Sequence, residues 1–178
     1  MLINVAGLLK STSGCSQIER VTGKFRVDWA DAECDASGTV LMIRTNEGVW
    51  ASGDFTARIP LKCGKCLENF IHELNLNIEE EYFPFVDLIS RKSLDVDYAE
   101  GAFRIGDDNL IDLEQAVREY SMLLAPIGPK CKEKCRGICS QCGQNLNAET
   151  CNCNYNGRDP RWGPLIELLE TVREKGGN

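Results

Sequence analysis

Val49-Trp-Ala-Ser-Gly-Asp-Phe-Thr-Ala-Arg-Ile59, followed across Cys63-Gly-Lys-Cys66 by Phe70-Ile-His-Glu-Leu-Asn-Leu-Asn-Ile78, alternates apolar and polar residues on both sides of a Cys-x2-Cys unit. In the first run Val49, Ala51, Gly53, Phe55, Ala57 and Ile59 alternate with Trp50, Ser52, Asp54, Thr56 and Arg58. A period of two held over eleven residues marks a sheet with one buried face. The alternation resumes as Phe70, His72, Leu74, Leu76, Ile78 and Tyr82 against Asn69, Glu73, Asn75, Asn77, Glu79 and Glu81, so the Cys-x2-Cys unit occupies the turn between two antiparallel neighbours. Upstream, Thr39-Val-Leu-Met-Ile-Arg-Thr45 is rich in β-formers and ends at the turn Asn46-Glu-Gly48. Phe25-Arg-Val27-Asp-Trp29 reads as a further strand, whereas the rest of residues 1–38 offers a short apolar opening and a polar loop from Ser11 to Ser16. His72, the single histidine, shares the parity of Leu74 and Leu76 and is expected as a partly buried sheet residue rather than a ligand.

After the sheet the character changes. Residues 84–111 are acidic, start at Pro84 and hold no sustained period, which predicts a linker with one short strand at Phe103-Arg-Ile105. Asp112 is a candidate N-cap with Gln115 three residues on, and Leu113, Ala116, Val117, Tyr120, Leu123 and Leu124 fall on one helical face before Pro126. A second helix is predicted from Asp159 as N-cap and Pro160 at the first helical position, with Trp162, Leu165, Ile166, Leu169 and Val172 as its stripe. Both stripes are expected to pack into a core. The expected fold is α+β: an N-terminal antiparallel β-sheet over residues 1–83, the acidic linker 84–111, and residues 112–178 carrying two helices around a small Cys-rich zinc-knuckle region.

Ten cysteines in 178 residues need a cause, and six of them lie between Cys131 and Cys153. The opening Met-Leu-Ile-Asn-Val-Ala-Gly has neither a basic lead nor a long apolar run, so a cytoplasmic chain with reduced thiols is expected. No apolar stretch approaches the roughly 20 residues that span a bilayer. Under reducing conditions such a cluster reads as a metal site. Cys139-x2-Cys142-Gly143 is a knuckle that converges two thiolates, and Cys151-x-Cys153 is its natural second pair. One or two structural Zn2+ ions are expected. A single site would centre on Cys139 and Cys142, completed by Cys151 or Cys153 and by Cys135. Two sites would pair Cys63, Cys66, Cys131 and Cys135 in one and Cys139, Cys142, Cys151 and Cys153 in the other. Cys15 and Cys34 stand alone and are read as ordinary small residues.

The sequence argues against catalysis. It lacks the phosphate-cradling glycine loops and the Gly-x-Ser-x-Gly elbow, and a single histidine leaves little room for a triad. Four thiolates on one zinc leave no open position for a substrate. Cys135-x3-Cys139-x2-Cys142 has the spacing of radical enzymes that bind a four-iron cluster, but only 36 residues follow it, too few for a barrel. A redox-active cluster without an enzyme and a dithiol redox pair at Cys63 and Cys66 are the remaining chemical alternatives.

Charge is unevenly placed. The net charge is −7, and residues 79–119 alone carry twelve acidic against four basic side chains. Lys130, Lys132, Lys134 and Arg136 stand against Glu133 alone, so the cysteine region is locally basic. These bases can balance the −2 of a four-thiolate zinc site, or contact a partner.

Taken in order, Leu61-Lys-Cys63-Gly-Lys-Cys66-Leu-Glu-Asn-Phe70, Ile111-Asp-Leu-Glu114, Leu124-Ala-Pro126, Cys135-Arg-Gly-Ile-Cys139-Ser-Gln-Cys142-Gly-Gln-Asn-Leu-Asn147, Cys151-x-Cys153 and Asp159-Pro-Arg-Trp162 resemble the bacterial YceD family of large ribosomal RNA subunit accumulation proteins. The resemblance covers residues 61 to about 170. It implies a non-enzymatic ribosome biogenesis factor that supports synthesis, processing or accumulation of the large-subunit (23S) rRNA. The expected partner is rRNA, a large-subunit ribosomal protein or an assembly intermediate, met through Lys130, Lys132, Lys134, Arg136, Arg158 and Arg161, with no membrane and no small-molecule substrate. The alternatives are a zinc-braced adaptor that binds a ribosomal protein through the acidic segment, and a thiol redox protein.

Overall fold

The computed structural model describes residues 1–85, 101–153 and 160–175. The chain divides into two compact units, one of Met1–Cys63 with Glu68–Cys131 and one of Gly64–Leu67 with Lys132–Asn178. These divisions fall at different points from the boundaries that composition suggested at 83 and 111.

The first unit is a seven-stranded sheet with helices packed on one face. Its strands are β1 (Leu2–Asn4), β2 (Ser16–Val27), β3 (Ala30–Arg44), β4 (Val49–Lys62), β5 (Asn69–Pro84), β6 (Phe103–Ile105) and β7 (Leu110–Asp112), in the order β1-β7-β6-β5-β4-β3-β2. β2 to β5 form an antiparallel meander, with Val49 opposite Tyr82 and Lys62 opposite Asn69. Val49, Ala51, Phe55, Ala57 and Ile59 of β4 and Leu74, Leu76, Ile78 and Tyr82 of β5 are buried on one face, as their alternation requires. His72 is half-buried and meets Phe70 edge-on at 6.2 Å.

Two expectations are corrected. The sheet is neither N-terminal nor wholly antiparallel, because β6 pairs parallel to β5 through Tyr82 and Phe103, and β7 brings in β1 through Ile111 and Ile3. Part of the supposed linker is therefore sheet. A parallel neighbour cannot be joined by a tight hairpin and needs a crossover of a dozen or more residues, which is the place residues 85–102 take in the chain; most of that connection lies outside the described residues.

Helix α1 (Ala6–Leu9) contributes buried Leu8 and Leu9, and helix α2 (Leu113–Leu124) contributes buried Leu113, Ala116 and Val117 to the same core as Phe25, Met42 and Phe55. The Asp112 side chain caps α2 by accepting from Glu114 N at 2.9 Å, while Gln115 donates to Glu119 instead of closing a capping box. Tyr120 donates to Glu80 of β5 at 3.0 Å. The stripe does not continue inward to its end, for Leu123 and Leu124 are exposed, as is Ile127 after them.

In the second unit a 3-10 turn (Pro160–Trp162) leads into helix α3 (Gly163–Lys175). The predicted N-cap Asp159 lies outside the described residues. Of the predicted stripe, Trp162, Leu165, Leu169 and Val172 are more than half exposed and Ile166 is half-buried, so the expectation that it packs into a core fails. Helical period fixes that one face is apolar, not that the face is covered.

Candidate metal centres

Eight cysteines converge in two groups of four. Cys63, Cys66, Cys131 and Cys135 form one, Cys139, Cys142, Cys151 and Cys153 the other, and within each group the sulfur atoms all lie within 4.8 Å of one another. Among the described residues no cysteine is in a disulfide. Four sulfurs about 2.3 Å from one Zn2+ stand about 3.8 Å apart, so each group closes into a tetrahedron with sub-ångström to ångström shifts.

Local backbone geometry explains the convergence. Each Cys-x2-Cys unit is followed by a residue in the left-handed region, Leu67 at φ 62° and Gly143 at φ 74°. That conformation folds the chain back so that the second sulfur faces the first. In the knuckle it also lets Gly143 N donate to Cys139 O at 2.9 Å and turns Gln141 N onto Cys139 Sγ at 3.4 Å. A left-handed leucine costs about 1–2 kcal/mol. Leu67 is half exposed, so burial of its own side chain does not demand the conformation; it lies in the turn that carries Cys66 and that Cys63 N closes onto Glu68 O at 2.9 Å.

The segment 135–149 is held by its own hydrogen bonds. Cys139 N donates to Gln144 O at 2.8 Å, Leu146 N to Gly137 O at 2.9 Å, and Ile138 N to Lys65 O at 3.1 Å. Gly137, at φ 77°, is in a conformation that favours glycine, and a Cβ there would also stand 3.1 Å from Lys65 O. Asn147 is the residue that spacing rules missed. Its Oδ1 accepts from Arg136 N at 2.9 Å while its Nδ2 donates to Cys135 Sγ at 3.3 Å. An N–H aimed at sulfur favours the thiolate, the form a metal binds.

The groups differ in exposure. Cys63 (0%), Cys66 (5%) and Cys135 (4%) are buried and Cys131 is half-buried. In the other group Cys142 is exposed and Cys139, Cys151 and Cys153 are half-buried. Backbone N–H groups of Cys142 and then Gln141 hold the Cys139 thiol down to about 6, whereas sharing a hydrogen bond with Cys142 pushes Cys153 up to about 12. Without metal the set thus keeps one early thiolate and one late proton; a cation that removes the remaining protons completes it.

Cys135 belongs to a different group from Cys139 and Cys142, so the three cysteines of the radical-enzyme spacing are not brought to one site. The buried Cys63 and Cys66 are also poorly placed for a dithiol that must meet substrates. Lys130, Lys132, Lys134, Arg136 and Arg161 are exposed, and Arg158 lies outside the described residues. Arg136 lines a shallow depression of about 520 Å³ with Leu146, Asn147, Ala148, Glu149 and Thr150.

The family model described as large ribosomal RNA subunit accumulation protein YceD matches residues 51–169. This chain belongs to the YceD family. Uncharacterized proteins of Mycobacterium bovis and Mycobacterium tuberculosis are each 31% identical to it over 124 residues, covering 70% of this chain and 57% of the relative. The chain thus spans little more than half the length of these mycobacterial relatives. The large ribosomal RNA subunit accumulation protein YCED homolog 1, chloroplastic, of Arabidopsis thaliana is 36% identical over 67 residues, 38% of this chain and 21% of the plant protein. No solved structure matches. The YceD span contains all eight converging cysteines and starts within β4. The family description and the plant relative's name both refer to accumulation of the large ribosomal RNA subunit. Among the described residues, no helix is long and apolar enough to cross a membrane.

Proposed function

We propose that this YceD-family chain is a non-enzymatic cytoplasmic factor that supports accumulation of the large-subunit rRNA, and that each four-cysteine group holds one structural Zn2+. The observation that carries the reading is the family match over residues 51–169, within which all eight sulfurs converge. Zinc fits because both donor sets are all-sulfur, a soft set that selects zinc over harder cations. Four protein ligands leave no site for substrate. The exposed Lys130, Lys132, Lys134 and Arg136 form the contact surface for rRNA, with Arg158 and Arg161 as further contacts. Exposed Leu123, Leu124 and Ile127 favour a second reading in which the partner is a large-subunit ribosomal protein.

Sucrose-gradient profiles of a deletion strain test the role: the large subunit and its rRNA fall relative to the small one. The triple variant Lys132→Glu, Lys134→Glu, Arg136→Glu reproduces the defect with normal metal content. An unchanged subunit ratio in the deletion strain sinks the role; full rescue by the charge-reversed chain sinks the surface. RNA held by phosphates loses affinity steeply with salt, by a log–log slope of about −0.7 per contact for single strands. Partner binding that is insensitive to salt and abolished by Leu123→Asp decides for the ribosomal protein.

A further inference from the structure

The two cysteine groups differ in what shields their sulfurs. Three of the four in the first are buried, so a reagent has no open line of approach to them. In the second, Cys142 is exposed and its three companions are half open to solvent. The backbone sharpens the difference. Residues 137–149 are tied by their own hydrogen bonds, but among the described residues Thr150–Cys153 makes no backbone hydrogen bond. No backbone hydrogen bond among the described residues ties Cys151 or Cys153 to the Cys139–Cys142 knuckle. Sulfurs that hold a loop together and also face solvent lie open to a small electrophile, and their neighbours, all within 4.8 Å, stand ready to resolve the product.

We propose that Cys139, Cys142, Cys151 and Cys153 form an oxidation site for hydroperoxides, at which two disulfides form and the bound zinc leaves while the buried group keeps its metal. A thiolate attacks one oxygen of hydrogen peroxide, the O–O bond breaks, and a sulfenic acid and hydroxide result. A second thiolate displaces hydroxide from that sulfur to close the disulfide. Two thiolates have then lost two electrons, and two hydroxides take up two protons to become water. Repeating the cycle with a second peroxide consumes all four thiolates. Zinc does not change oxidation state; deprived of its thiolates it departs as the hydrated cation.

The proposal rests on both groups being filled with zinc, which the metal content of the reduced full-length protein establishes before oxidant is added. Fewer than two zinc ions per chain overturns that premise, and the proposal with it, independently of the peroxide result. Hydrogen peroxide is then added to the zinc-loaded protein, with a chromogenic chelator reporting release. One of the two ions leaves at least about tenfold faster than the other, as expected of exposed against buried thiolates. Peptide mapping finds two disulfides confined to the four named cysteines, and dithiothreitol with zinc restores the starting mass. The Cys142→Ser, Cys153→Ser variant retains one zinc that peroxide removes only at the slow rate. Equal rates for both ions, earlier loss from the Cys63 group, or disulfides involving Cys131 or Cys135 would overturn it.

Discussion

Gly137→Ala isolates the backbone's part in building the buried cysteine group. Gly137 sits at φ 77°, two residues after Cys135, and an added Cβ stands 3.1 Å from the carbonyl oxygen of Lys65, which itself accepts from Ile138 N at 3.1 Å. Left-handed alanine costs about 1–2 kcal/mol, and displacing the Lys65 carbonyl weakens a hydrogen bond worth about 0.5–1.5 kcal/mol. The stiffer unfolded chain returns about 0.4–1 kcal/mol. The net penalty of about 0.5–3 kcal/mol falls on the turn that carries Cys66 and on the segment that carries Cys135. Metal affinity at that group should therefore drop by about 2- to 150-fold. Chelator competition in a Cys142→Ser, Cys153→Ser background reads this one group, and hydrogen exchange at Ile138 and Leu146 reads the loop. Gly128→Ala is the control, since a Cβ there meets nothing within 4 Å and no left-handed conformation is required. Affinity equal to the parent's, with unchanged Ile138 protection, would refute the reasoning, because the smallest penalty worked out above already lowers it about twofold.

Two further outcomes follow from single side chains. In metal-free protein the Cys139 thiol, held down to about 6, is the nucleophilic thiolate at every pH above that value, whereas Cys153, pushed up to about 12, stays protonated. Initial iodoacetamide labelling at Cys139 should rise through pH 6 and level off near about pH 7, while labelling at Cys153 keeps rising through about pH 9; mass spectrometry of the labelled peptides reads both, and parallel pH profiles contradict the assignment. Ser121 is fully buried on α2 and its Oγ has no hydrogen-bond partner among the described residues. Ser121→Ala removes an uncompensated hydroxyl and should raise stability by about 1 kcal/mol in urea unfolding, and a loss of stability means that the hydroxyl is satisfied.

The part of the sheet legible in the sequence is the part whose inward residues are large. β4 and β5 present Phe55, Ile59, Leu74, Leu76 and Ile78 at a period of two, and the structure buries each of them. β3 alternates just as faithfully in its first half, but with Cys34 and Ala36 as the buried residues and Glu33 and Asp35 outside. Small inward residues carry little hydrophobic contrast, and acidic outward ones are poor strand formers. Cys34, which stood alone in the sequence, is a core residue of that strand. β2 is an edge strand whose Ile18 is exposed, so its period is interrupted where no neighbour covers it. β6 is the short strand that the sequence predicts at Phe103–Ile105, whereas β7, also three residues long, shows no period.

At the cysteines, spacing identified what converges but left the partition open. Cys131, Cys135, Cys139 and Cys142 follow one another at intervals of four, four and three, so any neighbouring pair satisfies a knuckle rule. What separates Cys135 from Cys139 is the left-handed Gly137 between them, a conformation that a glycine permits but does not announce. Leu67 is harder still, because nothing in a leucine's chemistry suggests φ 62°; it sits in the turn that Cys63 N closes onto Glu68 O at 2.9 Å. The same limit governs the helices. Val117 and Leu123 belong to one apolar stripe of α2, yet the first is wholly buried and the second is 80% exposed. A helical period states which side chains share a face; what lies opposite that face is decided by strands far away in the sequence.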